Sequence, residues 1–243
     1  MESGNNLGGS NLEGAHLEGA NFKGTHLKGA NFKGAHLERA NFEGAHLERA
    51  NLAEAILTGA NLKWTNLSFA RFDNAHLEEG NLEGANFEGA HLEGAHLESA
   101  YLHWVNLKRA HLEGAHLEEA YLWVADLVQA HLEGANLYKA LLEDSNLEEA
   151  HFEGANLAEA ILTGVNLKWA NFKEANFEGA HLERVSFKGA NIVGARLEGA
   201  YLLGARFEGT YLVGADRKEC NPTTHTLEIL TKDISTNPEK EEK

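Results

Sequence analysis

The sequence predicts one long solenoid whose chain turns a corner every five residues. Three observations carry this. From Leu7 to Leu212 every fifth residue is Leu, Phe or Ile, an unbroken run of 42. Two residues earlier, 32 of the 41 sites from Ser10 to Thr210 are Ala. Two residues later the chain very often has Gly, as at Gly14 and Gly94.

A period of five excludes the regular alternatives. An α-helix turns about 100° per residue, so a five-residue step lands about 140° past a full turn and no apolar stripe forms. A flat strand alternates its faces with period 2, so an odd period sends successive Leu to opposite sides. A corner in every unit resolves this. The large residue and the small one two before it then both point inward, and the other three point outward. Gly tolerates backbone angles closed to other residues and so suits the corner. Such a unit buries its face only by stacking on neighbours.

Taken from the N-terminus, Asn5, Asn6 and Leu7 run directly into the repeats. This first coil carries no cap in its sequence, so its end is expected to expose apolar side chains and strand edges and to serve in self-association. No loop interrupts the frame. Both prolines, Pro222 and Pro238, lie beyond the last repeat, as a ladder that needs its amide donors requires. The inward position fails at Arg217, and Cys220-Asn221-Pro222 breaks the pattern. The expected division is a repeat domain over residues 1–216 and a cap with a polar tail over 217–243. Thr226–Leu230 is the apolar stretch expected to form the cap. Residues 51–64 recur at 156–169 with one change, Ala60 against Val165, which reads as duplication history.

The repeated unit, Ala-(Asn/His)-(Leu/Phe)-Glu-Gly, resembles that of the pentapeptide-repeat family. Ala30-Asn31-Phe32-Lys33-Gly34 and Ala90-His91-Leu92-Glu93-Gly94 are representative. The resemblance covers roughly residues 5 to 216. It implies an all-β fold, a right-handed quadrilateral parallel β-helix with four units per coil. At four units to a coil, 42 units make about 10.5 coils, and a coil spacing of ~4.8 Å makes a rod about 50 Å long.

Charge divides this rod. Residues 1–72 hold 7 acids and 7 bases, and residues 154–215 hold 6 of each, whereas residues 73–153 hold 17 acids and 3 bases. The acidic middle argues against nucleic acid or an anionic membrane as a direct partner. No apolar run approaches membrane-spanning length and no signal-peptide pattern follows Met1, so a cytoplasmic protein is expected. The single cysteine, Cys220, excludes an intramolecular disulfide and a multi-cysteine metal site.

With the coil length that the resemblance implies, residues 20 apart stack. His91, His111, His131 and His151 form one column beside Asp73, Glu93, Glu113, Glu133 and Glu153. The next face carries His76, His96 and His116 beside Glu78, Glu98 and Glu118. The four His of the first column are candidate metal ligands, set against the plainer reading that His is an accepted outward residue, as Asn is elsewhere. The Glu columns make an acidic surface. Some members of the family protect type II topoisomerases by imitating DNA, so a gyrase-protecting modulator is the alternative function. A third face, with Tyr101, Trp104, Tyr121, Trp123, Leu141 and Ile161, is a candidate apolar interface, for a protein partner or for a homodimer through this face or an end of the rod.

Enzyme signatures are absent from the sequence. It has no Gly-Lys-Ser/Thr phosphate loop, no His-Glu-x-x-His and no paired cysteines beside its recurrent His-x-Glu. The expectation is a non-enzymatic interaction or scaffold rod without a cofactor.

Overall fold

The computed structural model describes residues 6–218 and 220–222, the last two through their backbone. Nearly all pairing is by single-residue parallel bridges, and every bridge joins residues 20 apart, from Asn6↔His26 to Arg196↔Asp216. Four columns of bridges therefore run up the rod. We number the faces by their first bridging residue: face 1 from Asn6, face 2 from Asn11, face 3 from His16 and face 4 from Asn21. The chain visits them in that order and then climbs one coil.

Each unit satisfies its backbone in the same way. In the unit around Phe32, Asn31 N donates to Ser10 O in the coil before, and Phe32 N and Gly34 N donate to Asn51 O and Ala53 O in the coil after. Ala35 N closes the corner on Phe32 O at 2.9 Å. The third residue of that turn, Gly34, has φ +62°, the type II pattern. The remaining amide, of Lys33, is capped by Asn31 Oδ1 at 3.2 Å. This explains why Asn is so common before the large residue: its side chain caps the turn, and its amide group also bonds the Asn 20 residues away, as Asn51 does to Asn31.

The inward Leu, Phe and Ala residues are fully buried through most of the rod. Phe rings stack coil on coil, Phe152 on Phe172 at 4.8 Å and Phe187 on Phe207 at 4.9 Å. At three of the sites where Ser or Thr replaces Ala the hydroxyl finds a carbonyl: Thr65 Oγ1 donates to Phe42 O at 2.8 Å, Ser145 Oγ to Leu122 O at 2.6 Å and Thr210 Oγ1 to Phe187 O at 2.8 Å. In the first coil Leu7, Leu12 and Leu17 are only half-buried.

The ladder runs past the point where the sequence motif stops. Strand β1 (Tyr201–Leu202) pairs in parallel with β2 (Asn221–Pro222) at the same 20-residue offset. The motif break at Cys220-Asn221-Pro222 is thus a break in side chains and not in backbone register. At each large-residue position the amide donates forward to the next coil, as Leu182 N does to Tyr201 O at 2.8 Å. A proline at that position, Pro222, removes no rung to the coil before it. The expected cap at Thr226–Leu230 lies outside the described residues.

Candidate functional site

The corners hold what the sequence reading missed. The third turn residue has positive φ throughout, and in 20 units it is not Gly. Trp64, Phe69, Trp104, Val124 and Trp169 are among them, at φ +55 to +61°, a region that bulky and β-branched residues rarely enter. Several of these side chains lie over a glycine one coil on. A Cβ at Gly84 would fall 2.0 Å from the Trp64 ring, one at Gly89 2.6 Å from Phe69, and one at Gly189 2.3 Å from Trp169. The signal was available as an aromatic residue followed 20 positions later by Gly. The repeated segment ends in one such pair each time: Asn51 bridges on face 2 and Asn156 on face 3, so the two copies sit one face apart.

Faces 2 and 3 carry the His–Glu columns where the coil length placed them. His and Glu two residues apart straddle an inward Leu and so share the outward side. His76 Nδ1 lies 2.8 Å from Glu78 Oε1, His91 Nδ1 2.9 Å from Glu93 Oε1, and His96 Nδ1 3.1 Å from Glu98 Oε1. The distances are 3.3 Å for His111–Glu113 and His131–Glu133, 3.7 Å for His116–Glu118 and 3.8 Å for His151–Glu153. The imidazoles stack face to face: His91–His111, His111–His131 and His131–His151 at 4.7–5.0 Å, and His76–His96 and His96–His116 at 4.6–4.7 Å, all within 6° of parallel. Burial raises the Glu78 carboxyl, but donors on His76, its own backbone and Thr58 outweigh that and hold it below the ordinary carboxylate range. Asp73 is set apart from the rest of its column by Arg71, whose Nε donates to it at 3.1 Å.

The second carboxylate oxygens stand differently. Oε2 of Glu93, Glu98, Glu113, Glu118, Glu133 and Glu153 is shut off from solvent and has no hydrogen-bond partner. The three bases of the acidic middle are occupied elsewhere. Lys108 holds Asp126 at 2.9 Å, Arg109 Nε donates to Gln129 Oε1 at 2.9 Å, and Lys139 lies 3.6 Å from Glu159. Arg109, Gln129, Glu149 and Trp169, in line along the corner of faces 1 and 2, wall a shallow groove whose other side is His111, His131 and His151.

Face 4 brings the apolar candidates together in part. Tyr101 and Tyr121 stack at 5.0 Å, with Leu141 and Ile161 continuing the same column of bridges. Trp123 meets His103 edge-on at 4.6 Å and Tyr121 at 5.9 Å. Trp104, 56% exposed, stands on the corner toward face 1 with Val124. The patch therefore wraps an edge and is not one flat face. Among the described residues no helix is long and apolar enough to cross a membrane.

Comparison with known proteins gives one consistent answer. A family profile described as pentapeptide repeats matches residues 3–39, 106–144, 140–179, 166–203 and 180–216, and one described as a pentapeptide repeat region matches 30–107. Among solved structures, the chain is similar to HetL, a pentapeptide repeat protein involved in heterocyst differentiation regulation from the cyanobacterium Nostoc sp. strain PCC 7120. The identity is 31%, over 88% of this chain and 91% of that one, with a TM-score of 0.55. A pentapeptide repeat protein of the Arabidopsis thaliana thylakoid lumen is 33% identical over 44% of this chain and 63% of that one, with a TM-score of 0.30. QnrB1, a plasmid-mediated fluoroquinolone resistance protein, is 16% identical over 93% of this chain and 94% of that one, with a TM-score of 0.42. No curated protein sequence matches.

Proposed function

Since this chain belongs to the pentapeptide-repeat family, we propose that it is a non-enzymatic scaffold rod that binds a protein through the patch on face 4 and its corner. On this reading the rod is right-handed and about 10.5 coils long. The observation that carries the proposal is the cluster of exposed Tyr101, Trp104 and Trp123 with the half-buried Tyr121 between them and Leu141 and Ile161 beyond, whereas the exposed Phe69 and Trp169 stand apart on the corner of faces 1 and 2. Tyr and Trp supply large rigid contact area and dominate binding energy at interfaces. An aliphatic column flanked by aromatics on an otherwise charged surface is the composition of an interface core. The partner is another protein or a second copy of this chain.

The test compares the chain with its Trp104→Glu, Trp123→Glu variant by light scattering and by capture from an extract of its source cells. A proteins-retained set, or a dimer mass, that is lost in the variant supports the reading. Unchanged mass together with an unchanged retained set removes it.

A second reading rests on the acidic middle. Glu93, Glu113, Glu133 and Glu153 follow one another at the coil spacing along face 2, in a segment with 17 acids and 3 bases. A rod with regularly spaced negative charge imitates the charge pattern of duplex DNA. A gyrase supercoiling assay tests this reading. Without inhibition or protection at micromolar rod, it is discarded.

A further inference from the structure

We propose that the His–Glu ladders of faces 2 and 3 bind divalent transition-metal ions of the zinc class. Each His-Leu-Glu unit presents an imidazole and a carboxylate side by side, and the 20-residue coil repeats them one rung on. In the middle of the rod this makes four sets of three whose ligand atoms all lie within 4.8 Å of one another: His76/Glu78/His96, His96/Glu98/His116, Glu93/His111/Glu113 and His131/Glu133/His151.

A second observation points to a cation independently. In three of the four sets a carboxylate oxygen, Oε2 of Glu98, of Glu93 and Glu113, and of Glu133, is sealed from solvent without a donor. A buried acceptor without a partner is destabilising, more so when charged. The local lysines and arginine do not reach these atoms, being engaged with Asp126, Gln129 and Glu159. An ion held between successive rungs supplies the missing positive charge.

The donor chemistry selects the ion. Every set contains imidazole and three contain two, which suits zinc, copper or nickel, whereas calcium and magnesium prefer oxygen alone. Two His and one Glu leave a fourth position open to water. Zinc at about 2.0–2.1 Å from each ligand holds its ligand atoms about 3.3 Å apart. His111–Glu113 and His131–Glu133, both at 3.3 Å, already meet that spacing, and His96–Glu98 and His76–Glu78, at 3.1 and 2.8 Å, need only open slightly. The stacked rings, 4.6–5.0 Å apart, must tilt to converge on the ion. A supporting contact is present in the first set: Thr58 Oγ1 donates to Glu78 Oε2 at 3.1 Å, the kind of outer contact that orients a ligand. Access is open, because Gly114, Gly134 and Gly154 leave the edge between the two faces bare. The two face 3 sets share His96 and hold one ion between them, so the middle of the rod takes three. A fourth site is His16/Glu18/His36.

The test is calorimetric titration of the tag-free full chain with zinc chloride alone, with cobalt(II) absorption reporting coordination. The variant is His96→Gln, His111→Gln, His131→Gln, which takes an imidazole from every middle set. Circular dichroism checks that it keeps the rod. The wild type is expected to bind four ions and the variant one, with the tetrahedral cobalt signal falling in proportion. Two results overturn the proposal: no saturable heat from the wild type, or an equal number of ions in a folded variant. Calcium binding equal to zinc in both proteins also overturns it, because carboxylates alone would then explain the site.

Discussion

Replacing Gly84 by Ala tests the corner geometry most directly. The residue has φ +63°, and its new Cβ would fall 2.0 Å from the Trp64 ring. Two costs follow. An L-residue in the left-handed region costs about 1–2 kcal/mol, offset by about 0.5–1 kcal/mol because Ala loses less freedom than Gly on folding. The second is displacement of the ring. Trp64 is 56% exposed, so about 110 Å² of a surface of about 250 Å² is covered. Losing half of that cover costs about 1.4 kcal/mol at ~25 cal/mol/Å². Gly84→Ala is therefore expected to destabilise by about 2–2.5 kcal/mol. Gly114, with φ +66° and nothing within 4 Å of its Cβ position, carries only the first cost, about 0.5–1 kcal/mol for Gly114→Ala. In a Trp64→Gly background, Gly84→Ala should fall to the Gly114 value, a coupling of about 1.4 kcal/mol. The assay is urea unfolding followed by circular dichroism, with amide exchange in the coils around Gly84 because repeat rods open locally. Equal costs at Gly84 and Gly114, or an undiminished cost without Trp64, would refute the reasoning.

Three further outcomes are expected. Ser145→Ala removes a buried hydroxyl that donates to Leu122 O at 2.6 Å and accepts from Ala125 N at 3.0 Å; the loss is about 1 kcal/mol, read as a fall of about 2–4 °C in Tm. Glu78 has a carboxyl held low in the folded rod, so its contribution is present above the unfolded carboxylate pKa and lost as pH falls through the folded one. Urea midpoints should thus separate wild type from Glu78→Gln at pH 7 and converge as pH falls below the carboxylate range; a constant gap contradicts this. Cys220 is half-buried and burial pushes its thiol up, so at pH 8 it should react with a disulfide reagent several-fold more slowly than free cysteine, and at the free rate once urea unfolds the rod.

Much of the rod was legible because a five-residue frame is a strong constraint. Leu92 and Ala90 had to be inside and His91 and Glu93 outside, and the structure has them so. The pairing of His91 with Glu93 follows from the same frame, since residues two apart share a side. The corners were less legible. Gly at Gly14 and Gly94 signalled positive φ, but Trp64, Val124 and Arg109 adopt it as well, because the bonds of each coil to its neighbours impose the corner whatever residue occupies it. Trp104, read as part of a third, apolar face, stands on the corner with Val124 for that reason. Pro222, read as the end of the pattern, still pairs with Leu202, because the rung to the coil below is made by the residue before the large one, as Asn31 makes it with Ser10 and Leu12, and needs no amide at the proline position.

A period of five determines that the chain bends once per unit and which residues face in. It does not determine how many bends close a coil, because that depends on the angle of each corner and on the fit of the inward side chains. The offset of 20 residues between bridges is a tertiary fact. On it rest the stacked imidazoles, the Trp64 ring over Gly84, and the sealed oxygens of Glu93, Glu113 and Glu133. The sequence by itself settled what each residue faces. Only the closed coil decided which distant residue lies above it, and every candidate site on this rod is made of such vertical neighbours.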